Sequence, residues 1–197
     1  MASDWGTFST NMKAVFGSPN QKTIPEIAEI HAKEYVAAVS SAAIILTSSK
    51  VTVKVTMDPV KSAYVVAFTQ LFNEKSQIKP NYKETLPRDP VAEASARDKL
   101  KTIFKPVAAV ICAEWAKEIF TAGTMPPGYV SPNIGYAVLV PGDPDAFAQD
   151  LAKAFYIAQT ETDQQTAVNV HITSLIEAYA KHLLKICLLY TSDAADD

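Results

Sequence analysis

Apolar side chains recur at intervals of three and four through most of the chain, which is the period of an amphipathic α-helix. The first apolar stripe falls within residues 3–16, and the second extends over residues 27–46 after a capping-box pair, Thr23 and Glu26. Residues 50–57 instead alternate between polar and apolar side chains, and most of the apolar ones are β-branched. That alternation predicts a short strand.

Three later helical stripes each follow an Asp-Pro pair, namely Asp58-Pro59, Asp89-Pro90 and Asp143-Pro144. At such a start the Asp carboxylate can accept a hydrogen bond from a free backbone N–H, and Pro fits the first helical position. We therefore expect all three Asp residues to cap helices. Pro106 lies within the second of these stripes and should kink or split that helix. A last stripe predicts a helix over about residues 163–186.

Four of the twelve prolines fall in residues 124–142, together with several glycines. This composition predicts a long connection, and long connections are often functional. Tyr129 and Tyr136 lie in it, and tyrosine on an ordered loop is a common contact residue. We take both as candidate interaction residues, the alternative being that their rings cover the helical core.

These patterns together predict a mainly α fold, with five to seven helices in one compact domain over residues 1–186. They allow at most a two-stranded β element, for which residues 136–140 are the best partner of residues 50–57. The alternative is that both segments are extended connections lying on helices. The long Pro/Gly-rich connection completes the predicted fold.

The last eleven residues, 187–197, resemble a translated adaptor of the kind used in transposase-based preparation of DNA for sequencing. The codons TGT CTC TTA TAC ACA TCT GAC GCT GCC GAC encode the first ten of them in order. The alternative is a genuine C-terminal strand with an acidic tip. We expect the tail not to be native and the true C-terminus to lie beyond Ile186. Without the three tail aspartates the formal net charge rises from −3 to zero, and Cys112 is the cysteine that remains.

Composition favours an ordered globular protein, because 48% of the residues are hydrophobic. No apolar run approaches the ~20 residues that span a bilayer, and the N-terminus does not resemble a signal peptide. A net charge near zero gives no general attraction to nucleic acid or to an anionic membrane. We therefore expect a cytoplasmic or virion-associated protein with no membrane or nucleic-acid partner.

The sequence offers little material for catalysis. His171 and His182 share a helix face but lie about 16 Å apart along its axis, too far for one metal ion. His31 lies near Glu34, which suggests a local pair, and Cys112 has apolar neighbours that predict a buried, inert thiol. Nucleophile elbows and phosphate-binding loops are absent from the sequence. We predict no catalytic residue, no cofactor and no metal, and hence no enzyme.

Two alternatives stay open. A small-molecule-binding or enzymatic helical domain would need an enclosed pocket that holds several of His31, Glu34, Glu114, Glu118 and His171. A nucleic-acid surface would need the basic group of Arg97, Lys99, Lys101 and Lys105. We interpret that group instead as a solvated helix face, because Asp98 interrupts it.

Three segments carry a resemblance to a known class of proteins. They are the Trp5-x-x-Phe8 helix, the segment from Ile27-Ala28 to Tyr35, and Met125-Pro126-Pro127-Gly128 followed by Val138-Leu139-Val140-Pro141-Gly142. In order and spacing they are similar to small virion-associated proteins of T-even-like tailed phages from environmental samples. The resemblance implies a structural component of a particle, with no catalytic residues. The leading hypothesis is therefore a non-enzymatic structural or assembly protein that acts through protein–protein surfaces, with protein partners or self-association.

Overall fold

The computed structural model describes residues 4–17, 22–40, 43–46, 49–52, 55–78, 90–122, 143–160 and 163–188. Within them lie six α-helices: α1 (Trp5–Phe16), α2 (Ile24–Ser40), α3 (Met57–Ile78), α4 (Pro90–Ala122), α5 (Pro144–Thr160) and α6 (Gln164–Leu188). Two short strands, β1 (Ala43–Leu46) and β2 (Ser49–Thr52), lie between α2 and α3. The predicted mainly helical fold is confirmed. No described helix is long and apolar enough to cross a membrane.

The six helices form a closed ring. Each helix packs against the next one in the chain, and α1 also packs against α6. The interface between α4 and α5 is the most extensive, and the two interfaces that α1 makes are the smallest. Apolar side chains from every helix fill the interior of this ring.

Aromatic rings fill the interior in two connected groups, to each of which all six helices contribute. The first, which we call the histidine layer, consists of Phe16, His31, Phe68, Phe104, Phe155 and His171. The second, the tyrosine layer, consists of Trp5, Phe8, Tyr35, Tyr64, Trp115, Phe147 and Tyr179. Tyr64 also joins the two layers, because its ring contacts Phe68 and His31.

The order of the layers along each helix gives the direction of that helix. The chain passes from the tyrosine layer to the histidine layer along α1, α3 and α5, and in the opposite direction along α2, α4 and α6. Neighbouring helices are therefore antiparallel. One end of the bundle, which we call the hairpin end, therefore holds the hairpin formed by β1 and β2. The same end holds the ends of α4 and α6 and the starts of α1 and α5.

Side-chain caps fix where several helices begin. The Asp143 carboxylate accepts hydrogen bonds from Asp145 N at 2.9 Å and Ala146 N at 3.2 Å, so its predicted capping role is confirmed. Glu26 reaches back to Thr23 N at 2.7 Å, which is half of the predicted capping box. The Asp4 carboxylate caps α1 by accepting a hydrogen bond from Thr7 N at 2.9 Å.

Asp58 does not have the capping role that the Asp-Pro pattern predicted. Helix α3 begins at Met57, two residues before the predicted first position at Pro59, which places Asp58 inside the first turn. The Glu114 carboxylate, from α4, accepts a hydrogen bond from Thr56 N at 3.1 Å. An acid from a distant part of the chain thus bonds a backbone N–H just before this helix. Asp89 lies outside the described residues.

The strand prediction was wrong in its boundaries, and the pairing with residues 136–140 stays a prediction. Helix α2 ends at Ser40, so the end of the stripe over residues 27–46 forms β1 rather than helix. Strand β2 pairs with β1, antiparallel, with Ala43 opposite Thr52 and Leu46 opposite Ser49. Two strands separated by two residues close a far shorter loop than residues 50–57 and 136–140 would, and loop closure costs more entropy as the loop lengthens. Residues 136–140 and the rest of the Pro/Gly-rich connection lie outside the described residues.

Pro106 does not split its helix. Helix α4 is continuous over 33 residues, and its buried face runs on from Leu100 to Trp115. Pro106 and Thr102 are both exposed, so water can hydrogen-bond the Thr102 carbonyl that lacks its usual donor. The last helix was predicted to end at about residue 186. Helix α6 continues two residues beyond Ile186, into the segment that resembles translated adaptor.

Replacing Asp143 with Ala should lower the free energy of unfolding by about 1 kcal/mol, because two backbone N–H groups lose their acceptor. Asp58→Ala is the matched control. It removes only the favourable position of a carboxylate in the first turn, and should cost about 0.3–0.5 kcal/mol. Urea denaturation followed by circular dichroism measures both. Equal losses would contradict the difference in capping.

Candidate functional site

The histidine layer brings together two residues that the sequence placed far apart. His31 on α2 is 2% exposed, and its ring centroid lies 5.9 Å from that of His171 on α6. Aromatic rings from α1, α3 and α5 surround His31, with centroids 5.1–5.8 Å away. Two imidazoles therefore meet edge to face inside a cluster of aromatic rings.

Both imidazoles are held neutral. The His171 Nδ1 lies 3.1 Å from the Ala154 carbonyl, and this atom must be the one that carries the proton, since a carbonyl only accepts. Among the described residues, His31 Nδ1 has no hydrogen-bond partner. Burial holds the pKa of His31 well below its ordinary value, and the neighbouring His171 lowers it further. Burial likewise lowers the pKa of His171 to about 4, against which its bond to Ala154 acts.

The tyrosine layer joins four helices through hydrogen bonds. Trp115 Nε1 on α4 donates to Tyr35 Oη on α2 at 2.8 Å, and the hydroxyls of Tyr64 on α3 and Tyr179 on α6 bond to each other. Burial raises the pKa of all three tyrosines far above that of a free phenol, so none becomes a phenolate. These groups connect helices, and they offer no base or nucleophile.

A polar cluster connects α5 to α6. His182 is 3% exposed, lies stacked on Phe147, and places Nε2 2.7 Å from Asp150 Oδ2. Lys181 donates to the same oxygen at 2.8 Å. Burial alone would raise the pKa of Asp150, but the bonds from Lys181 and His182 outweigh it and lower that pKa. The carboxylate is thus ionised and engaged by both of its neighbours.

An enzymatic pocket would require several of five residues to converge, and the described ones among them meet only as a pair of histidines. His31 and His171 do meet, but the predicted local pair of His31 and Glu34 is wrong, because Glu34 accepts a hydrogen bond from Asn11 Nδ2 at 2.7 Å. Glu114 is buried beside the start of α3. The side chain of Glu118 lies outside the described part of the chain. Among the described residues, the geometry gives two histidines that meet and two acids, Glu34 and Glu114, that are bonded elsewhere.

The basic group on α4 is engaged in ion pairs. Lys101 and Lys105 both pair with Asp145 on α5, at 3.8 and 2.8 Å. Arg97 pairs with Glu93 and lies over the ring of Tyr156, 5.2 Å from its centroid. At least three of the four basic side chains therefore contact acidic or aromatic groups of the bundle itself.

Cys112 is buried, as its apolar neighbours predicted, and burial raises the pKa of its thiol to about 11. Within the described residues, no three His, Cys, Asp or Glu side chains are grouped as a metal site requires. An open depression lies on the exposed face of α4, lined by Val91, Ala94, Ser95, Asp98, Lys99 and Thr102. One helix supplies that whole lining, so the depression does not enclose a ligand. Tyr129 and Tyr136 lie outside the described residues, and their role as contact residues stays a prediction.

Comparison of the chain with models of known protein families, with curated proteins and with solved structures finds no match.

Sequence reasoning missed the two aromatic layers, although a signal for them exists. Phe8 and Phe16, Phe147 and Phe155, and His171 and Tyr179 are each separated by eight residues, or slightly more than two helical turns. Such pairs lie on one helix face about 12 Å apart along the axis, so one helix can supply a ring to each of two layers. The spacing could suggest the layers, but it could not reveal which rings from different helices meet.

Tyr35→Phe should lower the free energy of unfolding by about 1–3 kcal/mol, because it leaves the buried Trp115 N–H without its acceptor. Adding Trp115→Phe removes that donor as well, so the double variant should lose less than the sum of the two single losses. A double-mutant cycle by chemical denaturation measures this coupling. Strict additivity would contradict the hydrogen bond.

The Cys112 thiol should be unreactive toward a disulfide reagent in the native protein and fully reactive in denaturant, because the folded bundle both covers it and raises its pKa. The measurement is absorbance of the released thiolate at pH 8, in a Cys187→Ser background that leaves Cys112 as the reporter. A native rate within tenfold of the denatured rate would show that the thiol is accessible.

Proposed function

We propose that the protein is a non-enzymatic structural or assembly protein that acts through protein–protein surfaces, as its resemblance to virion-associated proteins implies. One observation carries the proposal. The buried polar side chains of the described bundle contact neighbouring helices: His31 meets His171, His182 meets Asp150, and Glu114 meets the start of α3. Groups that could perform chemistry are thus used to hold the bundle together.

The alternative of a small-molecule site has less support. It requires polar groups that converge on a space where a ligand fits. The meeting point of His31 and His171 is instead filled with rings, with Phe155 4.7 Å from His171 and 5.8 Å from His31, centroid to centroid. A rigid helical bundle with a filled interior presents its outer surface, and the connections between its helices, to partners.

Light scattering coupled to size-exclusion chromatography over a hundredfold range of concentration tests the proposal. We expect self-association, or co-purification with a partner or particle when the protein is expressed together with the genes that adjoin its own. Adjoining tail or capsid genes would independently support a virion role. A strict monomer that also fails to co-purify with any of these partners would refute it.

Tyr129→Ala combined with Tyr136→Ala should weaken the association about tenfold or more, because tyrosines at the centre of an interface often contribute over 1 kcal/mol each. Val66→Ala is the matched control, since Val66 is an exposed apolar residue of α3, 58% accessible. Association that falls equally in both variants, or in neither, would exclude the two tyrosines as contact residues without excluding assembly itself.

A further inference from the structure

We propose that His31 and His171 form an acid-sensitive latch between α2 and α6, so that acidification opens the helical ring at this point and releases α1. The latch holds only while both imidazoles are neutral. Its two rings come from helices that do not adjoin along the chain and that α1 bridges, packing against both.

Among the described residues, no carboxylate contacts the two rings of the latch. The described groups that contact His31 are Phe16 from α1, Tyr64 and Phe68 from α3, Phe155 from α5 and His171 from α6. Only Tyr64 and His171 among these titrate, and the described part of α4 contributes no ring or hydrogen bond to His31. His171 in turn contacts His31, Phe155 and the Ala154 carbonyl.

The third histidine, His182, has a negative charge beside it. His182 is equally buried, but Asp150 lies 2.7 Å from its Nε2 and would balance a positive charge there. Glu34, one turn along α2 from His31, is hydrogen-bonded to Asn11. Protonating either member of the latch therefore places a cation in a ring-filled interior, opposite a second imidazole.

Aromatic faces offset only part of that cost. The attraction between a cation and a ring within about 6 Å is weaker than the cost of removing an unpaired ion from water. Two cations at this separation would also repel each other. The proton is therefore accepted mainly when the latch has opened and water reaches the rings.

Helix α1 should be the first helix to unfold when the latch opens. This helix has 12 residues and the smallest interfaces in the ring, and an isolated helix of that length is marginal in water. It covers the interior with Phe8 and Met12, which are 1% and 0% exposed, and its Phe16 lies against His31. Once α2 and α6 separate, α1 loses the two surfaces that keep it folded.

The direction of the pH dependence follows from the lowered pKa values. The unfolded chain takes up a proton on each imidazole near pH 6.5 and the folded bundle does not, so stability is greatest above pH 6.5 and falls as the pH is lowered toward 4. Between pH 7 and pH 5 one such histidine lowers the folding equilibrium constant about 25-fold, and two lower it about 600-fold.

Urea denaturation of the full chain at pH 7 and pH 5 tests the latch. His31→Phe should leave about 25-fold of the dependence, and His31→Phe combined with His171→Asn should abolish the 600-fold component, since neither replacement titrates. The asparagine retains an amide donor for the Ala154 carbonyl. Phe68→Leu is the matched control, because it loosens the same layer without removing a proton site and should leave the pH dependence intact. A double variant that keeps the full dependence would overturn the proposal.

Two measurements on the unaltered protein keep the proposal testable if the variants fold poorly. Nuclear magnetic resonance should show the imidazole signals of folded His31 and His171 unchanged from pH 7 to pH 5, and ordinary titration near pH 6.5 would overturn the latch. Hydrogen exchange, corrected for its intrinsic pH dependence, should lose protection first in α1 and last in α4 and α5. Uniform loss across the six helices would overturn opening at α1.

Discussion

The ring of Tyr179 is the contact on which most of the bundle depends. It lies stacked on Trp5 at 6.0 Å, contacts Phe8, Tyr35 and Phe147, and bonds to the Tyr64 hydroxyl. One side chain of α6 therefore touches residues from α1, α2, α3 and α5. A ring of six helices encloses more space than a pair of facing stripes can fill, and large flat side chains solve that problem because each contributes much buried area with few rotatable bonds.

The buried polar groups of the bundle have a second role beside occupying space. A hydroxyl or imidazole inside an apolar core is favourable only when its partner is in place, so it penalises packings in which the helices slide or rotate. The bond from Trp115 to Tyr35 and the contact of Asp150 with His182 each tie two helices at one register. Polar side chains in this core can therefore specify the packing of the helices without taking part in a reaction.

The sequence predicted the helical segments well, because periodicity and caps are local. The starts of α2 and α5 follow from Thr23, Glu26 and Asp143 alone. It failed at the start of α3, which lies two residues before the predicted one and where the distant Glu114 accepts a hydrogen bond from Thr56 N. It also failed where two local structures compete, as in the end of the second stripe, which became β1. The meeting of His31 with His171 joins positions 140 residues apart, and no spacing rule within one helix reaches that far.

The two ends of the bundle are unequal, and this limits the symmetry of any assembly that uses them. The β-hairpin, the end of α4 and the start of α5 all lie at the hairpin end. Two copies that met through that end would use the same surface twice, and the contact would close at a dimer related by a two-fold axis. Contact between the hairpin end of one copy and the opposite end of the next would leave a free surface at each step and propagate as a ring or filament. Which ends of the bundle meet thus determines whether the assembly closes as a dimer or stays open to further copies. This distinction does not require the interface residues to be specified.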